Sequence, residues 1–122
     1  MRAFKVSLSI SMLLATASFA AAPALASGDS GQSLYAASCA MCHGNDGKGA
    51  LSGVPDFTKP GGVLAQSDAV LTDRILNGYK SPDASMGMPP MKGQVNDQQV
   101  HEILEYMHKT FGVKAAPPKD GS

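Results

Sequence analysis

The residues in this chain best suited to chemistry are Cys39-Ala40-Met41-Cys42-His43, two cysteines three apart with a histidine directly after the second. That order is the signature of covalent attachment of a c-type haem. Cysteines one helical turn apart can each form a thioether to one vinyl group of the same macrocycle. The histidine that follows turns its imidazole to the iron as the proximal ligand. Other uses of a Cys-x-x-Cys pair fit less well. A structural zinc site needs four ligands, and the chain has only two cysteines. A thioredoxin-like redox pair belongs in an α/β fold, and no strand pattern surrounds these residues. A structural disulfide across so short a loop would constrain the unfolded chain little.

A second stretch, YKSPDASMGMPPMKGQV at residues 79–95, carries Met86, Met88 and Met91 among prolines and glycines. On a helix such methionines would be core filler. In a Pro/Gly loop they have no helix to pack from, so their burial must come from whatever the loop covers. A thioether is a soft ligand suited to haem iron, and His/Met ligation raises the reduction potential. Prolines stiffen the loop and lower the entropy cost of holding a weak Fe–S bond. By residue type alone, each of the three methionines is a candidate.

Three helices are expected to position these groups. Asp29 or Ser30 can cap a first helix running to about Met41, with Leu34, Tyr35 and Ala37 on a face continuous with the cysteines, and Gly44 ends it. Residues 44–66 are rich in Gly, Pro, Asp and Asn and read as irregular loop. So long a loop needs something to wrap, and a haem edge would serve, with Val54, Pro55 and Phe57 facing it. A backbone carbonyl there would hold the second nitrogen of His43. Ser67 or Asp68 opens a second helix to about Asn77, striped by Val70, Leu71, Ile75 and Leu76. The last helix is the clearest: Asn96 with Gln99 makes a capping box, and Val100, Ile103, Leu104, Met107 and Phe111 recur at helical spacing before Gly112. His101 and His108 fall on its polar side and are expected to be solvated.

Residues 1–26 are read as a cleavable secretory signal peptide: Arg2 and Lys5, an apolar run, then Ala24-Leu25-Ala26 as the cleavage triplet. Export, and so a periplasmic or otherwise extracytoplasmic location, follows. No membrane span is expected after cleavage. The 96 residues that remain make one domain, with no Trp and only Phe57 and Phe111 of the four Phe. A domain this small struggles to bury enough surface by itself. Removing Arg2 and Lys5 leaves eight basic against ten acidic residues, a net charge of −2. That excludes the basic footprint of a nucleic-acid-binding protein.

The motif with its flanks, Gly31 to Ser38 before it and Gly44-Asn45-Asp46-Gly47-Lys48-Gly49 after it, resembles the class I c-type cytochrome family, the small soluble monohaem cytochromes c. The resemblance covers about residues 29–112. It implies an all-α class I cytochrome c fold, with three main helices and long loops wrapped around one covalently attached haem. The monohaem cytochrome c domain would span 27–112, with a flexible C-terminal tail at 113–122. Related cytochromes place the methionine ligand in a Met-Pro pair ahead of the last helix, which here is Met88-Pro89. They use a proline carbonyl for the histidine's other nitrogen, which points to Pro55, and an aromatic at the crossing of the first and last helices, which points to Tyr106.

Cys39 and Cys42 are thus expected to bind haem c covalently, and His43 and Met88 to be the axial ligands of its iron. The implied function is a periplasmic electron carrier rather than an enzyme, working by one-electron outer-sphere transfer with redox partner proteins. It would be a monomer or a subunit of a redox complex such as a periplasmic dehydrogenase or reductase. The competing reading is an open-site haem protein that binds NO, CO or O2 or reacts with peroxide. The 79–95 loop offers methionines and prolines where a distal His or Arg would be wanted.

Overall fold

The computed structural model describes the backbone from residue 27 to 117 and side chains from residue 31. The expected signal peptide and residues 118–122 lie outside the described residues. Among the described residues four helices follow in order, α1 (Ser27–Ser38), α2 (Ala40–His43), α3 (Asp68–Asn77) and α4 (Asp97–Phe111), with a 3-10 turn at Val63–Ala65. The fold is all-α. Among the described residues the only β pairings are the isolated bridges Tyr79↔Met88 and Lys92↔Val95. No helix among them is long and apolar enough to cross a membrane.

The core is built on α4. Its buried residues Val100, Ile103, Leu104 and Met107 recur at three- and four-residue steps and form one stripe. The capping box starts that helix as expected. Asn96 Oδ1 accepts from the Gln99 amide at 2.9 Å, and Gln99 Oε1 accepts from the Asn96 amide at 3.0 Å. Two of the four orphan amides of the first turn are thereby satisfied. Helix α1 crosses α4 where Gly31 meets the backbone of Glu102. A Cβ on Gly31 would lie 2.2 Å from the Glu102 carbonyl oxygen, so only hydrogen fits there. Tyr106 packs at this crossing, its ring 5.5 Å from that of Tyr35.

The structure differs from the sequence-based expectation in four places. Helix α1 is already formed at Ser27, so Asp29 and Ser30 lie within it rather than at its cap. It also ends at Ser38, and Cys39 (φ −121°, ψ −38°) is the N-cap of the short α2, so Cys39 sits at a helix break and Cys42 within the helix that follows. Third, residues 113–117 are not a free tail. Val113 is 7 % exposed and joins the core, and the Ala116 amide donates to the Ala65 carbonyl at 3.1 Å. Fourth, His108 is only 16 % exposed: its Nε2 lies 3.0 Å from Asp68 Oδ1 and its Nδ1 meets the Val113 carbonyl oxygen. The ring therefore ties α4 to the start of α3 and to the C-terminal segment. His101 is exposed, as expected.

Candidate haem-binding site

Tyr35 sets the position of the motif. It is 1 % exposed, and its hydroxyl donates to the Gly44 carbonyl at 2.8 Å, across the end of α2. Burial holds that hydroxyl protonated far above the usual phenol range, which keeps it a donor. The break between the helices is bridged at Cys39: its amide donates to Tyr35, and its carbonyl accepts from both Cys42 (3.2 Å) and His43 (3.0 Å). The following loop folds back on the motif, with the Gly49 amide on the His43 carbonyl and the Ala50 amide on the Cys42 carbonyl, each at 2.9 Å. Sequence reasoning placed Tyr35 on the buried face but missed its hydrogen bond. No local pattern marks a contact made nine residues away.

Both thiols are free. Cys42 is exposed, and Cys39 is half-buried against the core. Burial, and then the neighbouring Cys42, push the Cys39 thiol up to about 11. The imidazole of His43 stacks on Phe57, with ring centroids 4.5 Å apart and planes inclined by 21°. Phe57 is itself 7 % exposed and is fixed by its amide bonded to the Gly47 carbonyl at 2.7 Å. Burial lowers the pKa of His43 from 6.5, which favours the neutral ring, the form that ligates a metal. Its Nδ1 is buried and has no hydrogen-bond partner. The Pro55 carbonyl does not supply one. What faces the ring from the loop is the Phe57 side chain, and Pro55 is exposed. Buried polar atoms in native proteins are rarely left unpartnered, so an orphaned ring nitrogen marks a place where the fold alone does not complete the site.

The three methionines of the second stretch occupy different environments. Met86 is 64 % exposed. Met91 is 7 % exposed in the core, and its amide donates to the Ile75 carbonyl at the end of α3. Met88 lies between these extremes, partly buried against the core, and exchanges two backbone hydrogen bonds with Tyr79 (3.0 and 2.8 Å). Among the described residues, no group of three or more His, Cys, Asp or Glu side chains converges as a zinc site would require.

Residues 26–107 match the family model described as "Cytochrome C oxidase, cbb3-type, subunit III". The chain belongs to this family of c-type cytochrome domains. Three relatives show the range of proteins in which similar domains occur. The cytochrome domain is 32 % identical over 100 residues to the gluconate 2-dehydrogenase cytochrome c subunit of Pantoea cypripedii, covering 75 % of this chain and 23 % of that one. It is 31 % identical over 85 residues to the cbb3-type cytochrome c oxidase subunit CcoP of Rhodobacter capsulatus, covering 67 % and 29 %. It is 27 % identical over 93 residues to the cytochrome c subunit of the quinone alcohol dehydrogenase of Gluconobacter oxydans (strain 621H), covering 72 % and 20 %. The chain thus spans less than a third of the length of each of these curated relatives.

Membership in this family implies haem c, and the residues present fit it. Two free thiols lie three residues apart, and directly after them comes an imidazole that burial biases toward its neutral, metal-binding form.

Proposed function

We propose that the cytochrome domain is an exported one-electron carrier holding one haem c, attached through Cys39 and Cys42 and ligated by His43 and Met88. The chemistry the haem supplies is reversible one-electron reduction of its iron. The chain's own work is to hold both axial groups fixed, keep water away and leave no coordination position for a substrate. The observation that carries this reading is the environment of Met88. It is the one methionine of its loop that is neither mostly solvated, as Met86 is, nor committed to the core, as Met91 is. A thioether held at the edge of the core by backbone hydrogen bonds on both its amide and its carbonyl suits an axial ligand, because little reorganisation accompanies the change of oxidation state.

The relatives support a second level of the same reading. Those named above are subunits of dehydrogenases and of an oxidase. The cytochrome domain would then pass electrons within a periplasmic complex of that kind instead of as a free shuttle, and co-purification with a dehydrogenase or oxidase would decide between the two. The axial assignment is tested by substitution in the holoprotein. Met88→Leu should abolish the low-spin spectrum and lower the reduction potential, whereas Met86→Leu and Met91→Leu should keep the low-spin spectrum. A low-spin spectrum in Met88→Leu, lost instead in Met91→Leu, would move the ligand to Met91.

A further inference from the structure

The loop that carries Met88 is fastened to α3 at several points. Two of the terminal carbonyls of α3, those of Ile75 and Leu76, accept from the Met91 and Lys92 amides at 2.9 and 3.1 Å. These are acceptors that a helix end otherwise leaves to water. At the other side, Gly78 closes the helix at φ +80°. A Cβ there would lie 2.9 Å from the Met88 carbonyl oxygen and 3.0 Å from the Pro90 nitrogen, so the loop runs hard against the helix end. The next residue, Tyr79, exchanges both backbone hydrogen bonds with Met88. Reciprocal bonding of this kind makes the position of one residue the position of the other.

The side chain of Tyr79 is itself held. Arg74, in the last turn of α3, lays its guanidinium over the Tyr79 ring with Cζ 3.9 Å from the ring centroid. Tyr79 is 42 % exposed and is not among the residues packed against the core, so the contact with Arg74 restrains its ring where the core does not. A cation stacked within about 6 Å of an aromatic face is attracted to it, at an exposed site by an amount equivalent to roughly a two- to five-fold change in an opening equilibrium.

We propose that Arg74 and Tyr79 form a clasp that holds Met88 in place, which makes both of them positioning residues for the axial methionine; this rests on the reading that Met88 is the ligand. Arg74 anchors the clasp to α3, the Tyr79 ring carries the restraint to its own backbone, and the paired hydrogen bonds pass it to Met88. The contact uses the charge of Arg74 and the ring of Tyr79, not the tyrosine hydroxyl.

The test uses the holoprotein with four substitutions, Arg74→Gln, Arg74→Lys, Tyr79→Leu and Tyr79→Phe. Two quantities are read: hydrogen–deuterium exchange in peptides covering residues 79–92 and 97–111, and the rate at which imidazole enters the ferric haem site. Arg74→Gln and Tyr79→Leu should each raise exchange in 79–92 and speed imidazole entry by about two- to five-fold. Tyr79→Phe should stay near wild type, Arg74→Lys should fall between wild type and Arg74→Gln because it keeps the charge but loses the flat guanidinium, and exchange in 97–111 should not change in any of the four. Unchanged exchange in 79–92, an increase shared with 97–111, or Tyr79→Phe behaving like Tyr79→Leu would each overturn the clasp. Faster exchange without faster imidazole entry would overturn it as a positioning device. Met88→Leu separates the two readings. If its spectrum stays low-spin, the assignment of Met88 has failed, and exchange in 79–92 still reports whether the clasp holds the loop.

Discussion

At the scale of single residues, the seat of His43 depends on a small turn. Asp56 Oδ1 accepts from the Thr58 amide at 2.8 Å and from its hydroxyl at 2.6 Å, and between them Phe57 is turned inward to stack on the imidazole. The Thr58 hydroxyl and then its amide hold the Asp56 carboxyl below its usual 3.8. Because the folded-state value is depressed, the unfolded chain binds the more protons as pH falls. The stabilisation is therefore complete above the ordinary carboxylate range and is lost as pH drops through the folded value. The thermal midpoint of the holoprotein should fall more steeply between about pH 5 and pH 3 than that of Asp56→Asn. Equal slopes would contradict a role for the pair. The residues proposed to bear the chemistry, Cys39, Cys42 and His43, stand out at this scale because they form a local pattern. The contacts that seat them do not. Tyr35 reaches Gly44, and Phe57 reaches His43, through the tertiary fold.

At the scale of elements, α4 was legible almost to the residue, since a capping box and a strong apolar period are both local signals. The break at Cys39 was not: its backbone (φ −121°, ψ −38°) leaves helical values although the hydrogen bonds run on across it, and no residue type around it signals that. His108 was misread as solvated for a similar reason. Its position on the helix is polar, and its partners Asp68 and Val113 arrive from forty residues upstream and five downstream. Both of its ring nitrogens meet oxygen atoms, so it pins three segments at once. His108→Ala should cost about 1 kcal/mol or somewhat more, since it leaves a half-buried carbonyl and a carboxylate without their partner. It should also raise hydrogen exchange at the Ala116 amide, which is bonded to Ala65. An unchanged Ala116 amide would show that residues 113–117 are held by Val113 burial alone.

At the scale of the molecule, the side-chain core is lopsided. Its fully buried apolar residues come mostly from α4 and the segments laid against it, and none lies between Cys39 and Asp56 or between Gly78 and Pro90. Those two stretches hold all four groups proposed to bind the haem. A bound haem would supply the large apolar body that a domain this small lacks, in the half that bears the motif and has little core of its own. The haem-free chain should show largely unfolded circular dichroism with no cooperative thermal transition, while the holoprotein should melt cooperatively. A cooperative melt of the haem-free chain would contradict this.

If both axial positions belong to the protein, as proposed, the cytochrome domain is a carrier and not a gas-binding or peroxide-reacting site. The decisive measurement is to add carbon monoxide to the dithionite-reduced holoprotein at neutral pH. The visible spectrum should remain that of a low-spin six-coordinate haem, unchanged by the gas. Rapid conversion to a carbon monoxide adduct would mean that the sixth position is open or weakly held, and the carrier reading would fall.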